Sequence, residues 1–205
     1  MNRKQPGRIG IMGGTFDPIH YGHLLIAQSA LEEFDLDQVI FLPTGRSPHK
    51  PANQVTEPDI RCAMVRIAIQ NNPAFSISTL EADNSEINYT YLTLQKLTRI
   101  YHNTHLYFIM GEDSLDDFPM WKQPADICRI ASLLVAVRDD STEGIVKKIS
   151  HTKEIYSADM HLLHAPVFSV SSRDIRERIR NQKNVRYMIQ EEVEDFIRKH
   201  SLYME

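Results

Sequence analysis

Residues 9–23, Ile9-Gly10-Ile11-Met12-Gly13-Gly14-Thr15-Phe16-Asp17-Pro18-Ile19-His20-Tyr21-Gly22-His23, decide how the chain is read. Ile9 to Met12 is a short apolar run that stops at two glycines, and beyond the turn Leu24, Ala27, Leu31 and Phe34 recur at helical spacing. The order is strand, loop, helix. Val39 to Leu42 is a second apolar run, stopped by Pro43, and Thr44 to Glu57 is a long loop rich in Pro, Gly, Ser and Asn. Pro58 suits the first turn of a helix, with Thr56 as its cap and Ile60, Met64, Ile67 and Ala68 as its buried stripe. A strand near Phe75 to Ser78, a helix from Thr90 to Tyr101 and strands at Leu106 to Met110 and Leu133 to Val137 follow. Strands that alternate with helices, and are apolar throughout, predict an α/β fold: a Rossmann-like parallel sheet with helices on both faces. Ligands in such sheets sit beyond the carboxyl ends of the strands, so the loops after Met12, Leu42, Met110 and Val137 should gather the chemistry.

The tail continues this pattern in helices. Ser169 to Arg180 reads as a capped helix, and Ile189 to His200 is amphipathic, with Val193, Phe196 and Ile197 on one face. No second boundary is visible, so residues 1–205 are expected to form one domain, with a C-terminal helical part from about 169 packed on it. Composition is that of an ordinary globular chain, 42% apolar and 24% charged. The net charge of -4 provides no basic field for a nucleic acid backbone, so an anion must be held locally. Cys62 and Cys128 stand far apart and outside any C-x-x-C, which fits a reducing cytoplasm. No run approaches a membrane span. A homo-oligomer is compatible with the sequence, which leaves the oligomeric state open.

The segment from Gly13 to His23 lies where a Rossmann-like fold offers backbone N–H groups to a phosphate. It carries neither G-x-G-x-x-G nor the Walker spacing, so phosphates must be handled otherwise. His20, at the helix start, and His23, three residues on, point from one face beside the positive end of the helix dipole and can donate to one anion. Spacing alone carries little weight, since His161-Leu162-Leu163-His164 has it with no supporting context. The flanking Gly-Gly-Thr-Phe-Asp-Pro and Gly22, directly after a strand, give it weight. A metal pair is disfavoured because no third ligand is recognisable.

The stretch G-G-T-F-D-P-I-H-x-G-H resembles the signature of the nucleotidyltransferases that share H-x-G-H with class I aminoacyl-tRNA synthetases. Over nearly the whole chain the resemblance is to the bacterial nicotinate-mononucleotide adenylyltransferases. It implies ATP contacts from Gly13, Gly14, Thr15, Phe16, His20 and His23, and places Asp17 at the substrate. Pro48-His49-Lys50 is similar to the family's P-H-K, whose lysine lies beside the substrate phosphate. Asn88-Tyr89-Thr90-Tyr91-Leu92-Thr93-Leu94 resembles its S-Y-T-x-D-T-L, which assigns Tyr89 and Thr90 to the nicotinate ring and carboxylate, with Leu92 in place of the usual acid. Read without the family, Thr90 is a helix cap.

Gly111-Glu112-Asp113 resembles the family's G-A-D, in which Gly111 and Asp113 would hold the ATP ribose, and Glu112 stands where a small residue is usual. Trp121, the only tryptophan, matches an F-x-x-W segment that sets an aromatic face against the pyridine ring. Ser171-Ser172-Arg173-Asp174-Ile175-Arg176 is similar to I-S-S-T-x-I-R, with Arg173 replacing threonine; Ser171, Ser172 and Arg176 would grip the triphosphate. Arg138 matches a strand-end arginine at the substrate.

The resemblance implies attack by the phosphate oxygen of nicotinate mononucleotide on the α-phosphorus of ATP, releasing pyrophosphate, with His20, His23 and Arg176 as the catalytic residues. Mg²⁺ would be carried by the ATP phosphates, with no protein ligands. A phosphate monoester has a second pKa near ~6, so its oxygen needs no general base at neutral pH. Three alternatives remain: an adenylyltransferase for another phosphate such as phosphopantetheine, a catalytically silent nucleotide-binding sensor, and a small RNA-binding relative of the synthetases, the last opposed by the net charge.

Overall fold

The computed structural model describes residues 7–46, 55–137, 143–166 and 168–204. Six strands, β1 (Arg8–Gly14), β2 (Gln38–Pro43), β3 (Phe75–Ile77), β4 (His105–Gly111), β5 (Ala131–Ala136) and β6 (Met160–Leu163), form one sheet in the order β3-β2-β1-β4-β5-β6. Every neighbouring pair is parallel. The chain therefore builds outward from β1 in one direction and then, after β3, crosses to the other side of it. That reversal leaves a crevice between the carboxyl ends of β1 and β4, where such sheets bind ligands.

Successive residues of each strand serve opposite faces, and the buried side chains divide accordingly. Ile9, Ile11, Ile40, Leu42, Leu106, Phe108, Leu133 and Val135 pack with α3 (Thr90–Ile100), α5 (Pro124–Ile130) and α6 (Glu143–Tyr156). Met12, Val39, Phe41, Ile109, Leu134 and Ala136 pack with α1 (Tyr21–Glu33), α2 (Pro58–Ile69), α7 (Ser172–Arg180) and α8 (Glu191–Lys199). A short helix α4 (Glu112–Asp117) and a single 3₁₀ turn, Phe118–Met120, connect β4 to α5. The expected three-layer α/β architecture is thus what the chain adopts.

Several local expectations are corrected. Thr56 does not cap α2: the N-cap is Glu57, and Thr56 spends its backbone groups on Asp17 and Arg61 instead. Tyr89, not Thr90, is the N-cap of α3; Thr90 is its first helical residue. The buried stripe of α2 is rotated by one position from the expected one, running through Arg61, Met64, Val65 and Ala68, while Ile60 and Ile67 are only partly buried. His161 and His164 lie on and just beyond a strand, bonded to Asp159 and Glu33 respectively, so that second H-x-x-H is not helical at all. Among the described residues no helix is long and apolar enough to cross a membrane.

Candidate active site

The loop between β1 and α1 carries the signature, and three features shape it. Phe16 has a left-handed backbone (φ 51°), and the Asp17–Pro18 bond is cis. Phe16 turns its ring inward, where it meets His23 edge-on at 5.0 Å and packs on Phe41. Gly22 lies close against the histidine: a Cβ there would stand 3.0 Å from the His20 ring, which would have to shift to admit it. His20, at the N-cap of α1, is 5% exposed. Its ring stacks on His23 with centroids 3.7 Å apart, and its backbone N–H donates to His23 Nδ1 at 3.2 Å. The two imidazoles therefore form one unit, held in register by a helix start and a ring contact.

Helix α7 is bound to the same loop. The Ser172 hydroxyl donates to the Pro18 carbonyl at 2.8 Å, and Arg176 Nη1 donates to the Asp17 carbonyl at 2.7 Å. Ser171 is its N-cap: its hydroxyl accepts from the Asp174 N–H and donates to the Asp174 carboxylate. The Ser171 hydroxyl, first, holds that carboxylate below its ordinary range, and His20 lies close enough to contribute. The start of α7 and the two histidines thus share one neighbourhood.

On the other side of the Gly13–Thr15 segment lies a cavity of about 570 Å³. Thr44, Tyr89, Thr90, Trp121 and Lys122 line it, together with Gly13, Gly14 and Thr15. Trp121 is half-buried and set edge-on against Phe108, and Lys122 Nζ lies 4.3 Å above the Tyr89 ring. Gly111 and the exposed Asp113 sit at the end of β4 and the start of α4, and a Cβ on Gly111 would meet nothing within 4 Å. Lys50 and Arg138 lie outside the described residues.

Asp17, expected at the substrate, is held within the signature loop by the scaffold. It is 4% exposed, with one carboxylate oxygen accepting from the Tyr203 hydroxyl at 2.6 Å and the other from the Thr56 N–H at 3.2 Å. Burial makes these bonds scaffold contacts. Three further residues escaped sequence reading. Arg61 is 0% exposed, and its guanidinium donates to the carbonyls of Thr15, Thr44 and Thr56 at 2.6, 2.7 and 2.7 Å. Burial lowers its pKa, and Asp17 opposes that shift. Glu81, 7% exposed at the cavity wall, accepts from the Thr93 hydroxyl at 2.7 Å; burial raises its pKa against the bonds from Thr93 and Thr44. A Cβ on Gly45 would lie 2.1 Å from the Glu81 carbonyl, so the loop after β2 can pass there only as glycine. The one readable signal was Arg61, an arginine in phase with Met64, Val65 and Ala68 on a buried helix face.

A parallel sheet with a strand-end glycine turn, paired histidines at the following helix start and a serine-capped helix beside them defines a nucleotidyltransferase. The family model described as cytidylyltransferase-like matches residues 11–178. A probable nicotinate-nucleotide adenylyltransferase of Lachnoclostridium phytofermentans is 40% identical, over 96% of this chain and 99% of its own. Another, of Desulfitobacterium hafniense strain Y51, is 40% identical over 97% and 96%. The chain belongs to the nicotinate-nucleotide adenylyltransferase family of cytidylyltransferase-like proteins. The fold also matches the Plasmodium falciparum nicotinic acid mononucleotide adenylyltransferase complexed with NaAD, with a TM-score of 0.76 at 24% identity over 96% of this chain and 97% of that one.

Proposed function

We propose that this protein transfers the adenylyl group of ATP to nicotinate mononucleotide, forming nicotinate adenine dinucleotide and pyrophosphate for NAD synthesis in the cytoplasm. One observation carries the reading: the stacked histidines and the head of α7 meet on one side of the Gly13–Thr15 segment, and an aromatic cavity opens on the other. Such a division suits a reaction that joins two nucleotides. The triphosphate belongs with His20, His23, Ser171, Ser172 and Arg176, where two imidazoles, a guanidinium and the N–H groups at the start of α7 converge on the loop. The open approach to Gly111 leaves room for the ribose of ATP beside Asp113, whose carboxylate can accept from its hydroxyls. The pyridine ring belongs in the cavity, against Trp121 and Tyr89, with Thr90 and Lys122 at its polar edge.

Aligning two anions is the difficulty, because each phosphate repels the other. The side chains supply donors fixed before the substrates arrive, which is where preorganisation lowers a barrier most. Mg²⁺ enters as part of the substrate, on the triphosphate, and lowers the remaining repulsion. Lys50 and Arg138 are assigned to the mononucleotide by family resemblance. No covalent intermediate is needed, since the attacking phosphate oxygen is already an anion.

The test offers MgATP with nicotinate mononucleotide, nicotinamide mononucleotide or phosphopantetheine separately, and follows pyrophosphate with product identification by mass. A dinucleotide formed with nicotinate mononucleotide is expected, and His23→Ala should lower its turnover by at least a hundredfold with an unchanged circular dichroism spectrum. Reaction with phosphopantetheine alone would move the substrate assignment, and near-normal turnover in His23→Ala would remove the histidine from the chemistry.

A further inference from the structure

We infer that Tyr203, near the end of the chain, is a positioning residue for the signature loop. This inference rests on the proposed adenylyl transfer. After α8 the chain turns back on itself: the Leu202 N–H donates to the Ile197 carbonyl at 3.0 Å, and Ser201 and Tyr203 both adopt left-handed backbones (φ 50° and 65°). Non-glycine residues rarely adopt that region, and two within three positions are held there by the contacts they make. The contact made is specific. The Tyr203 hydroxyl donates to Asp17 Oδ1 at 2.6 Å, across 186 positions of sequence, and the Thr56 side chain bonds the same tyrosine.

Asp17 stands three residues before His20 and adjoins the cis Pro18, whose carbonyl accepts from Ser172. Its own carbonyl accepts from Arg176. Both carboxylate oxygens and the carbonyl of Asp17 are thus bonded to different parts of the chain: the tail, the segment before α2 and α7. Among the described residues, the carboxylate without the tail's bond keeps the 3.2 Å contact with the Thr56 N–H. The loop that sets the histidines then loses this tie to the segment after α8. Burial, first, and the neighbouring carboxylate both push the Tyr203 pKa up, so the phenol stays protonated and keeps donating across the neutral range.

Tyr203→Phe keeps the ring and its packing and deletes only the donor. With nicotinate mononucleotide and MgATP, kcat should fall about tenfold while KM for both substrates stays within about twofold, because the misplaced donors act on the transition state. Amide hydrogen exchange in residues 15–20 should accelerate in the variant without ligands, and circular dichroism should be unchanged. In the Asp17→Ala background the tyrosine substitution should have no further effect on kcat. A kcat within twofold of wild type, a loss that multiplies with that of Asp17→Ala, or unchanged exchange in the loop would overturn the inference. Wild-type protein that turns over none of the offered phosphates would defeat the proposed function instead, and the exchange comparison would still decide the role of the tail.

Discussion

An arginine without water must find acceptors for its donors or lose several kcal/mol, and Arg61 finds them on three separate loops. Its planar fork suits that task where the point charge of lysine does not. The carbonyls it joins belong to Thr15 in the signature, Thr44 after β2 and Thr56 before α2, so one side chain sets the spacing between the two sides of the site. Arg61→Met fills the same space and leaves three carbonyls without that donor. At about 1–3 kcal/mol for each buried group left unsatisfied, partly relieved by relaxation, the variant should lose at least ~3 kcal/mol in urea unfolding. A loss below ~0.5 kcal/mol would mean that the loops hold their positions without it.

Between elements, legibility followed the kind of force at work. Strands β1, β2 and β4 are legible as continuous apolar runs, helices α1 and α8 because burial on one face writes a period into the sequence, and the G-G-T-F-D-P-I-H-x-G-H motif because its chemistry is local. The segment from α6 to β6 passed unread: β6 has only four residues, and two of them are half-exposed at the sheet edge. Contacts between distant positions leave no such trace. Arg61, Glu81 and Tyr203 act through partners 5 to 186 residues away, and nothing near them announces the pairing. The lower edge of the sheet shows the same thing. Ser132 on β5 bonds Asp159 before β6, while His105 on β4 meets Ser132 at 2.6 Å and His161 meets Asp159 at 2.8 Å. The Ser132 hydroxyl, more than the two histidines, holds the Asp159 pKa below its ordinary 3.8. A carboxylate depressed by folding adds stability above its unfolded pKa and loses it as pH falls through the folded one. The stability gap between wild type and Asp159→Ala should therefore be constant above about pH 5 and shrink below about pH 4. Urea midpoints measured across that range check this, and a gap independent of pH would assign the cluster no electrostatic role.

At the scale of the molecule, the C-terminal helices pack on the sheet. Ile175 of α7 and Val193 and Ile197 of α8 are buried among Met64, Val65, Ile109 and Leu134, on one face of the sheet, while Trp121 packs against the other. The two faces share every strand, and the tail is tied to the loop after β1. A break in either layer strips the sheet that supports the other, which is the condition for all-or-none unfolding. Fluorescence of the single tryptophan reports the Leu115 and Phe118 side, and far-UV circular dichroism reports all helices, including α7 and α8. The two signals should follow one curve in urea with the same midpoint. If residues 169–205 were a separate unit, part of the circular dichroism change would precede the fluorescence change. That separation would also argue against a tail that holds the signature loop, since a tail able to unfold first could not keep Asp17 in place.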